Sequence, residues 1–235
     1  NLRKKKKLLT NDTFVIVPFY NEGKVLINVI KKLKNNFKNI ICVDDGSDKK
    51  NQIGKYKLGV FLIKHPINLG QGAALQTGIN YAIKKKAKTI VTFDADGQHS
   101  AKDAIEMIKL LKKNNLDLVQ GSRFYKKQNN NIPFIRKIIL RVATIIANFF
   151  DNTQFTDTHN GLRVFNLSFA KKINIKNYRM SHPHDINKLV SKYNFKFSEY
   201  PTNIKYTHYS LSKGQKNLNA INILFDILIS QLIKK

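Results

Sequence analysis

The sequence predicts an α/β fold in which helices flank a mostly parallel central sheet. Over the first half of the chain, short apolar runs alternate with longer stretches whose apolar residues recur at helical spacing. Strands that alternate with helices in this way are typical of a parallel sheet covered on both faces. Four of the predicted strands also end in polar or charged residues. Because ligands of open α/β sheets bind at the carboxyl ends of the strands, we expect a binding site there.

Composition limits the number of domains and the cellular compartment. The 235 residues are 42% hydrophobic, which suffices for one large α/β domain or two small ones. The single cysteine, Cys42, excludes an internal disulfide and is typical of a reducing compartment. Residues 2–10 are basic but lack the apolar segment of a secretory signal.

The net charge of +27 at pH 7 indicates anionic partners. An anionic membrane surface, bound peripherally, is the favoured partner, whereas no nucleic-acid motif is recognisable and no nucleic-acid partner is expected. A coding bias toward Lys, Asn and Ile would produce the same charge, so the charge alone does not establish an anionic partner. With the cysteine content, it predicts a cytoplasmic location at the inner face of the plasma membrane.

Five strands and three helices are predicted in the first half of the chain. Pro18 is expected to end the first strand, and Ser100 is expected to cap the third helix, with Asp103 at the third helical position. The predicted strands cover residues 13–17, 39–43, 59–63, 89–93 and 116–120. The predicted helices cover residues 22–36, a stretch that follows Gly72 and ends near 85, and 100–114.

The second half begins after a polar linker at 125–131. An apolar helix over 133–150 is too short and too interrupted to span a bilayer, so it either packs on the core, which we favour, or lies in a membrane interface. A short strand is expected after residue 161. A helix is expected to follow His182, His184 and Asp185 and to end near residue 194, and an edge strand is expected over 195–205. A last helix over 217–233 is apolar around most of its circumference and would contact either the domain, a second subunit of a homodimer, or a membrane.

The strongest chemical signal is Asp94-Ala95-Asp96-Gly97-Gln98, directly after a buried strand. Asp94, Asp96 and Gln98 alternate along extended chain, so their side chains can converge on one side. Two carboxylates and an amide oxygen suit Mg²⁺ or Mn²⁺, a metal that usually also needs a phosphate-bearing ligand. A simple turn would also use Asp and Gly.

Three further strand ends carry similar signals. Pro18 to Glu22 follow the first strand, Asp44-Asp45-Gly46-Ser47 the second, and Gly121-Ser122-Arg123 the fifth. Gly70-Gln71-Gly72 precedes a helix, where glycines let the backbone approach a ligand and free N–H groups favour phosphate. Structural turns would not require acidic pairs and an arginine at one edge of a sheet.

Taken in order, these motifs resemble the family 2 glycosyltransferases. Within them, the sequence looks most like the dolichol- or polyprenyl-phosphate mannose synthase group, whose Asp-x-x-Ser-Gly-Phe-Arg element is similar to residues 157–163. The resemblance covers residues 13–215 and implies a Rossmann-like GT-A fold. It divides the chain into a basic tail (1–12), a donor half (about 13–123), an acceptor half (about 124–215) and a C-terminal amphipathic helix (216–235).

The resemblance also implies an inverting sugar transfer from a nucleotide-diphosphate sugar, UDP- or GDP-linked. Asp94, Asp96 and Gln98 would hold Mg²⁺ or Mn²⁺ on the diphosphate, with Asp96 catalytic, while Arg123 and Arg163 would neutralise phosphate charge. The implied nucleotide-sugar contacts are Pro18, Tyr20, Asn21, Glu22, Asp45, Gly46, Gly70, Gln71, Gly72, Asp94 and Ala95.

Two acceptors stay open: a polyprenyl phosphate and a cell-surface glycan precursor. A sugar hydroxyl would need a general base, for which Asp157 and Asp185 are the candidates. A lipid phosphate is already an anion and would need only cationic side chains, for which the candidates are Arg136, Arg141, Arg163 and Lys213. Departures from the group's pattern at Gln71, Asn160 and residues 182–185 bear on the acceptor more than on the donor.

Two other classes of function are weighed against this one. A sugar-nucleotide nucleotidyltransferase is expected to carry a glycine-rich signature with Arg and Lys after the first strand, where this chain has Pro18 to Glu22. A non-catalytic basic protein that binds anionic membrane or nucleic acid would not require acidic pairs at successive strand ends.

Overall fold

A seven-stranded sheet forms the centre of the protein. The computed structural model describes residues 11–48, 58–126, 132–176 and 182–204. The strand order is β3-β2-β1-β4-β6-β5-β7. The strands are β1 (Thr13–Phe19), β2 (Asn39–Asp44), β3 (Phe61–Lys64), β4 (Thr89–Thr92), β5 (Leu118–Ser122), β6 (Arg163–Asn166) and β7 (Phe197–Pro201). The helices are α1 (Gly23–Lys34), α2 (Gln71–Lys84), α3 (Ala101–Lys113), α4 (Phe134–Asp151), α5 (Leu167–Ala170) and α6 (His182–Lys192).

Six of these strands run in one direction, and β6 runs against them between β4 and β5. The predicted mostly parallel sheet is therefore confirmed, and β1, β2, β4 and β5 all end at one edge. Because β6 is antiparallel, it begins at the edge where its neighbours end. Residues 157–162, which lead into β6, consequently lie beside the predicted strand-end motifs.

The core consists of two layers, one on each face of the sheet. Along β1, Val15 and Val17 face one layer, while Phe14 and Ile16 face the other, as alternation in a strand requires. The first layer contains buried residues of α1 and α3, including Leu26 and Met107. The second contains buried residues of α2, α5 and α6. Helices therefore cover both faces of the sheet.

The prediction that Pro18 ends β1 is wrong, because the strand continues to Phe19. The ladder between β1 and β4 stops at Ile16, whose carbonyl accepts from Phe93 N at 2.9 Å. Backbone groups alternate in direction along a strand, so the nitrogen of Pro18 faces the same side as Ile16, beyond the end of that ladder. The missing N–H of Pro18 therefore breaks no ladder bond.

The other predicted elements are found within a few residues of their expected bounds. Ser100 caps α3 as expected, since its Oγ accepts from Lys102 N at 3.1 Å. Among the strands that the structure describes, β7 pairs with β5 alone, and it is the expected edge strand. The tail up to residue 10, the linker at 127–131, Lys213 and the expected last helix lie outside the described residues.

Helix α4 only partly fits the expectation that it packs on the core. Its buried residues are Ala143, Thr144, Ala147 and Asp151, which form a narrow face of mostly small side chains. Its large apolar residues are mostly exposed. Within the four described ranges, no helix is both long enough and apolar enough to cross a bilayer.

Candidate active site

A cleft of about 620 Å³ opens at the carboxyl edge of the sheet. Its walls come from the residues that follow β1, β2 and β4, from the start of α2, from α4 and from residues 159–163. Most of the predicted site residues line it. They are Pro18, Tyr20, Glu22, Asp45, Gly70, Gln71, Asp94, Ala95, Asp96, Gln98, Arg123, Arg136 and Arg163.

The carboxylates of Asp94 and Asp96 face this cleft from the end of β4. Asp94 accepts hydrogen bonds from Nε2 of His99 at 2.9 Å and from Nε2 of Gln71 at 3.2 Å. Burial alone would raise the pKa of Asp94, but the hydrogen bond and charge of His99, with the charge of Arg163, lower it below its usual value. Asp94 is thus held as an anion.

Asp96 is in a different electrostatic state. Burial, followed by the negative charge of Asp94, raises the pKa of Asp96 to about 6, although the backbone N–H of Gln98 donates to it at 3.0 Å. Two carboxylates that repel each other at the edge of a cleft are a set of hard oxygen ligands lacking a positive charge.

The fit of this pair to a divalent cation follows from its donor chemistry. No cluster of three or more His, Cys, Asp or Glu side chains suited to a metal occurs among the described residues. Two carboxylates suffice for Mg²⁺ or Mn²⁺ when phosphate oxygens and water complete the shell, as is usual for Mg²⁺. Asp94, Asp96 and Gln98 therefore fit a cation that arrives with a diphosphate, rather than a cation held by protein alone.

Gly161 allows the segment before β6 to approach Asp94. A Cβ on Gly161 would overlap the Asp94 carboxylate, and the carbonyl of Gly161 accepts from Thr92 Oγ1 at 2.7 Å. The motif at 157–163 and the motif at 94–98 therefore pack directly together. Only glycine fits this contact as it stands.

Asp45 holds the loop that leads into α2. Its two oxygens accept from the backbone N–H groups of Leu69 at 3.0 Å and Gly70 at 2.8 Å. One oxygen also lies 2.7 Å from Nδ1 of His65, whose Nε2 lies 2.9 Å from Thr77 Oγ1. Asp45 is thus fixed at the cleft wall. The role of His65 was not predicted, because an isolated histidine after a short strand carries no sequence signal.

Arg123 forms a buried ion pair with Asp157. Its Nε and one terminal nitrogen donate to the two oxygens of Asp157 at 2.6 and 2.7 Å, in a two-point contact. Asp157 is fully buried and does not line the cleft. Burial would raise its pKa, but the charge and hydrogen bonds of Arg123 hold that pKa below its usual value.

Glu199 of β7 lies beneath this pair. Its carboxylate accepts from Thr156 N at 2.9 Å and from Thr156 Oγ1 at 2.9 Å, and so holds the segment that carries Asp157. Burial raises the pKa of Glu199 to about 7, against the effect of these hydrogen bonds. Glu199 was not among the predicted site residues, because it lies in an ordinary edge strand.

Arg163 places a buried cation at the inner end of the cleft. It is 1% exposed, and one terminal nitrogen donates to the carbonyl of Thr158 at 3.3 Å. Its Nε has no hydrogen-bond partner among the described residues. Burial lowers the pKa of Arg163 to about 10, although the charges of Asp94 and Asp157 favour its protonation. It therefore stays charged at neutral pH and can bind an anion.

Besides His99, two further histidines that were not among the candidate site residues, His159 and His182, line the cleft. Burial lowers the pKa of His159 to about 4, so its ring is neutral at pH 7. His182 lies at the start of α6, and its charge is one of the influences that lower the pKa of Asp94. Both belong to motifs that the sequence displayed, but a lone histidine there does not indicate a role.

Six candidates do not line the cleft: Asn21, Gly46, Gly72, Arg141, Asp157 and Asp185. Asp185 is 1% exposed, accepts from the backbone N–H of Lys176 at 2.9 Å and pairs with Lys188 at 2.7 Å. Asn21 and Gly46 instead contact the backbone of loops near the cleft. The Asn21 side chain accepts from Asp48 N, and a Cβ on Gly46 would overlap the backbone of Ile67.

The fold of this chain is the GT-A fold of glycosyltransferases. Glucosyl-3-phosphoglycerate synthase from Mycobacterium tuberculosis, crystallised with Mn²⁺, UDP and phosphoglyceric acid, is similar with a TM-score of 0.64 over 95% of this chain and 80% of that one. At 15% identity, this likeness shows the fold alone.

A profile described as "Glycosyl transferase family 2" matches residues 14–174, and the chain belongs to that family. It is 37% identical to the uncharacterized protein MJ1222 of Methanocaldococcus jannaschii over 94% of this chain and 93% of that protein. It is 31% identical to the UDP-N-acetylglucosamine–dolichyl-phosphate N-acetylglucosaminyltransferase of Methanococcus voltae over 94% of this chain and 96% of that enzyme. The family expected from the motifs is confirmed.

Proposed function

We propose that this glycosyltransferase moves a sugar from a nucleotide-diphosphate sugar to a polyprenyl phosphate, with inversion at the anomeric carbon. The choice of acceptor depends on one observation: each of the two candidate bases is held in an ion pair. Asp157 is bound at two points by Arg123, and Asp185 is buried against Lys188. Neither carboxylate lines the cleft. A phosphate acceptor fits this arrangement, because it is already an anion and needs no base.

Cationic side chains in the same cleft support a phosphate acceptor. Arg123, Arg136 and Arg163 all line it. In the proposed reaction, an oxygen of the acceptor phosphate forms a bond to the anomeric carbon. The bond from that carbon to the nucleoside diphosphate breaks, and its electron pair leaves with the diphosphate. Arg163 at the inner end stabilises the leaving charge, which is usually the largest catalytic effect.

A divalent cation supplies further charge stabilisation for the diphosphate when it is bound. Asp94, Asp96 and Gln98 would hold it. The ionised Asp94, hydrogen-bonded to His99, is a preorganised ligand. Burial and the charge of Asp94 raise the pKa of Asp96, and a bound cation would lower it. The M. tuberculosis enzyme crystallised with Mn²⁺ supports such a cation here by analogy of fold.

The donor side of the proposal rests on the wall that Asp45 organises. Asp45, Tyr20 and Gly70 line the part of the cleft next to β1 and α2. Asp45 there fixes the backbone at Leu69 and Gly70. A UDP-linked sugar is the preferred donor, because the M. voltae relative is named for one. The same relative is named for a dolichyl-phosphate acceptor, which supports a lipid phosphate.

The location that fits this chemistry is the cytoplasmic face of a membrane, with peripheral binding. A polyprenyl phosphate is embedded in a bilayer, and the net charge of +27 favours an anionic surface.

A transfer assay with matched acceptors tests this function. Labelled UDP- and GDP-sugars are incubated with Mg²⁺ or Mn²⁺ and with a short-chain polyprenyl phosphate, the corresponding polyprenol, or a sugar acceptor. We expect label in the organic phase only with the phosphate. The polyprenol is the control for hydrophobic binding without phosphate charge. Transfer to sugars but not to the lipid phosphate would refute the acceptor, and transfer to none would refute the function.

A further inference from the structure

Helix α4 exposes a continuous apolar surface, here called the outer face of α4. It consists of Phe134, Ile135, Ile138, Val142, Ile145 and Phe149, whose exposure ranges from 41% to 81%. At about 100° per residue, these positions fall within an arc of roughly 100°. No polar side chain interrupts that arc, and the surface extends for more than four turns.

The distribution of apolar residues on α4 is the reverse of that on an ordinary surface helix. Helices of globular proteins direct large apolar side chains to the core and polar ones to solvent. In α4 the buried face is formed by Ala143, Thr144, Ala147 and Asp151, opposite the outer face. A large exposed apolar surface of this kind marks a contact with another apolar body.

The cleft lies on the other side of α4, at positions that point away from the outer face. Arg136 and Leu140 line the cleft from the same helix that exposes Ile138 and Val142. Lys137 and Arg141 are exposed along one side of the arc, and the Arg141 guanidinium lies 5.5 Å from the ring centre of Phe124. The partner of this surface is therefore apolar where it meets the helix and anionic at its border.

We propose that the outer face of α4 inserts into the headgroup–acyl boundary of an anionic lipid bilayer, so that the cleft on the other side of the helix lies close to the lipid headgroups. An amphipathic helix with basic residues along its polar border binds such a boundary through apolar burial and charge. The proposal rests on the proposed function, because a polyprenyl phosphate could then reach Arg136 without leaving the membrane. A second copy of the chain would not require the basic border.

A single-tryptophan reporter tests the contact directly, since the chain contains no tryptophan. The full-length Phe149→Trp protein is mixed with phosphatidylcholine vesicles, with or without phosphatidylglycerol, in the absence of donor. We expect a blue shift and quenching by brominated acyl chains only with the anionic vesicles. The Leu62→Trp protein, altered at an exposed position of β3, should respond to neither. An indole at 149 that is shielded from acrylamide before vesicles are added would mean that protein covers this face, and would overturn the proposal.

Charge insertion gives a second measurement with a matched control. Ile145→Glu with Phe149→Glu should lower the vesicle-bound fraction at least about tenfold, because two large apolar side chains no longer insert. Leu62→Glu with Tyr193→Glu makes the same change of charge at exposed positions elsewhere and should bind like the wild type. Equal loss in both double variants would mean that charge alone drives binding. Unchanged binding of the first, with a halved mass in sedimentation, would assign the face to a dimer.

Catalysis separates this proposal from the proposed function. The α4 double variant should transfer sugar to a short, water-soluble prenyl phosphate at the wild-type rate and lose transfer to a long polyprenyl phosphate in vesicles. Vesicle binding through α4 without any transfer would refute the proposed function alone. Transfer to the soluble acceptor by a protein that does not bind vesicles would refute the membrane contact alone.

Discussion

Replacement of Gly161 by alanine should separate the proposed role of Asp94 in catalysis from its role in folding. The added Cβ would overlap the Asp94 carboxylate, so that side chain must move or rotate. Its hydrogen bonds from His99 and Gln71 at 2.9 and 3.2 Å would then be lost or distorted. A misplacement of about 1 Å in a catalytic group can cost about 100-fold in rate, and we expect a loss of kcat of that order.

Gly78→Ala is the matched control, because the same added methyl there meets core rather than site. A Cβ on Gly78 would overlap the Ile16 side chain between α2 and β1. Overpacking of this kind costs about 1–3 kcal/mol of unfolding free energy. We therefore expect Gly78→Ala to lower the denaturation midpoint and to leave kcat of the folded protein unchanged.

The measurement pairs urea unfolding with steady-state transfer by both variants. If Gly161→Ala kept kcat within about threefold of the wild type at unchanged stability, the Asp94 carboxylate would not need its observed position, and the argument would be refuted.

Three further predictions concern charged groups. Asp96→Ala should abolish transfer and the response of activity to added Mn²⁺, while its thermal midpoint without metal stays within a few degrees of the wild type. EDTA should inactivate the wild type in the same way. Retained activity of the variant would exclude a metal role for Asp96. Arg123→Ala should lower the unfolding free energy by about 3 kcal/mol, because it leaves the buried Asp157 unpaired. Because the pKa of Asp157 is lowered in the folded protein, its ionised form stabilises the wild type at pH values above the pKa of an unfolded aspartate, and this stabilisation is lost as pH falls below about 4. If the unfolding free energy of Arg123→Ala depended on acid pH in the same way as that of the wild type, the pairing would be contradicted. Glu199 has a folded pKa of about 7 against about 4.5 unfolded, so its ionisation costs stability as pH rises through that window. Relative to the wild type, the unfolding free energy of Glu199→Gln should therefore rise by about 1 kcal/mol per pH unit in that window. If urea titrations gave a constant difference in unfolding free energy across pH 5–7, Glu199 would ionise normally.

Much of the donor side of the cleft could be predicted from local sequence. A buried strand followed by Asp94-Ala95-Asp96 puts carboxylates at the end of β4 whatever the rest of the chain does. The same holds for Asp45 after β2 and Arg123 after β5. Because parallel strands share one carboxyl edge, the strand assignments alone brought these residues together.

The pairings of those residues could not be predicted, because their partners lie far along the chain. Arg123 meets Asp157 from 34 positions away, and Asp45 meets His65 from 20. Local periodicity contains no information about which carboxylate an arginine will neutralise. Asp157 and Asp185 could therefore be proposed as bases from sequence, although each is held in an ion pair in the folded protein.

The sequence by itself determined the family, the parallel sheet and the acidic edge, since each of these depends on short motifs and on local alternation. Only the tertiary structure decided the direction of β6, which brings Gly161 and Arg163 to that edge. It also decided which face of α4 is buried. Amphipathic spacing predicts that a helix has two faces, but the neighbours that pack against Ala143 and Ala147 select the face that turns inward, and this leaves the larger apolar residues outside.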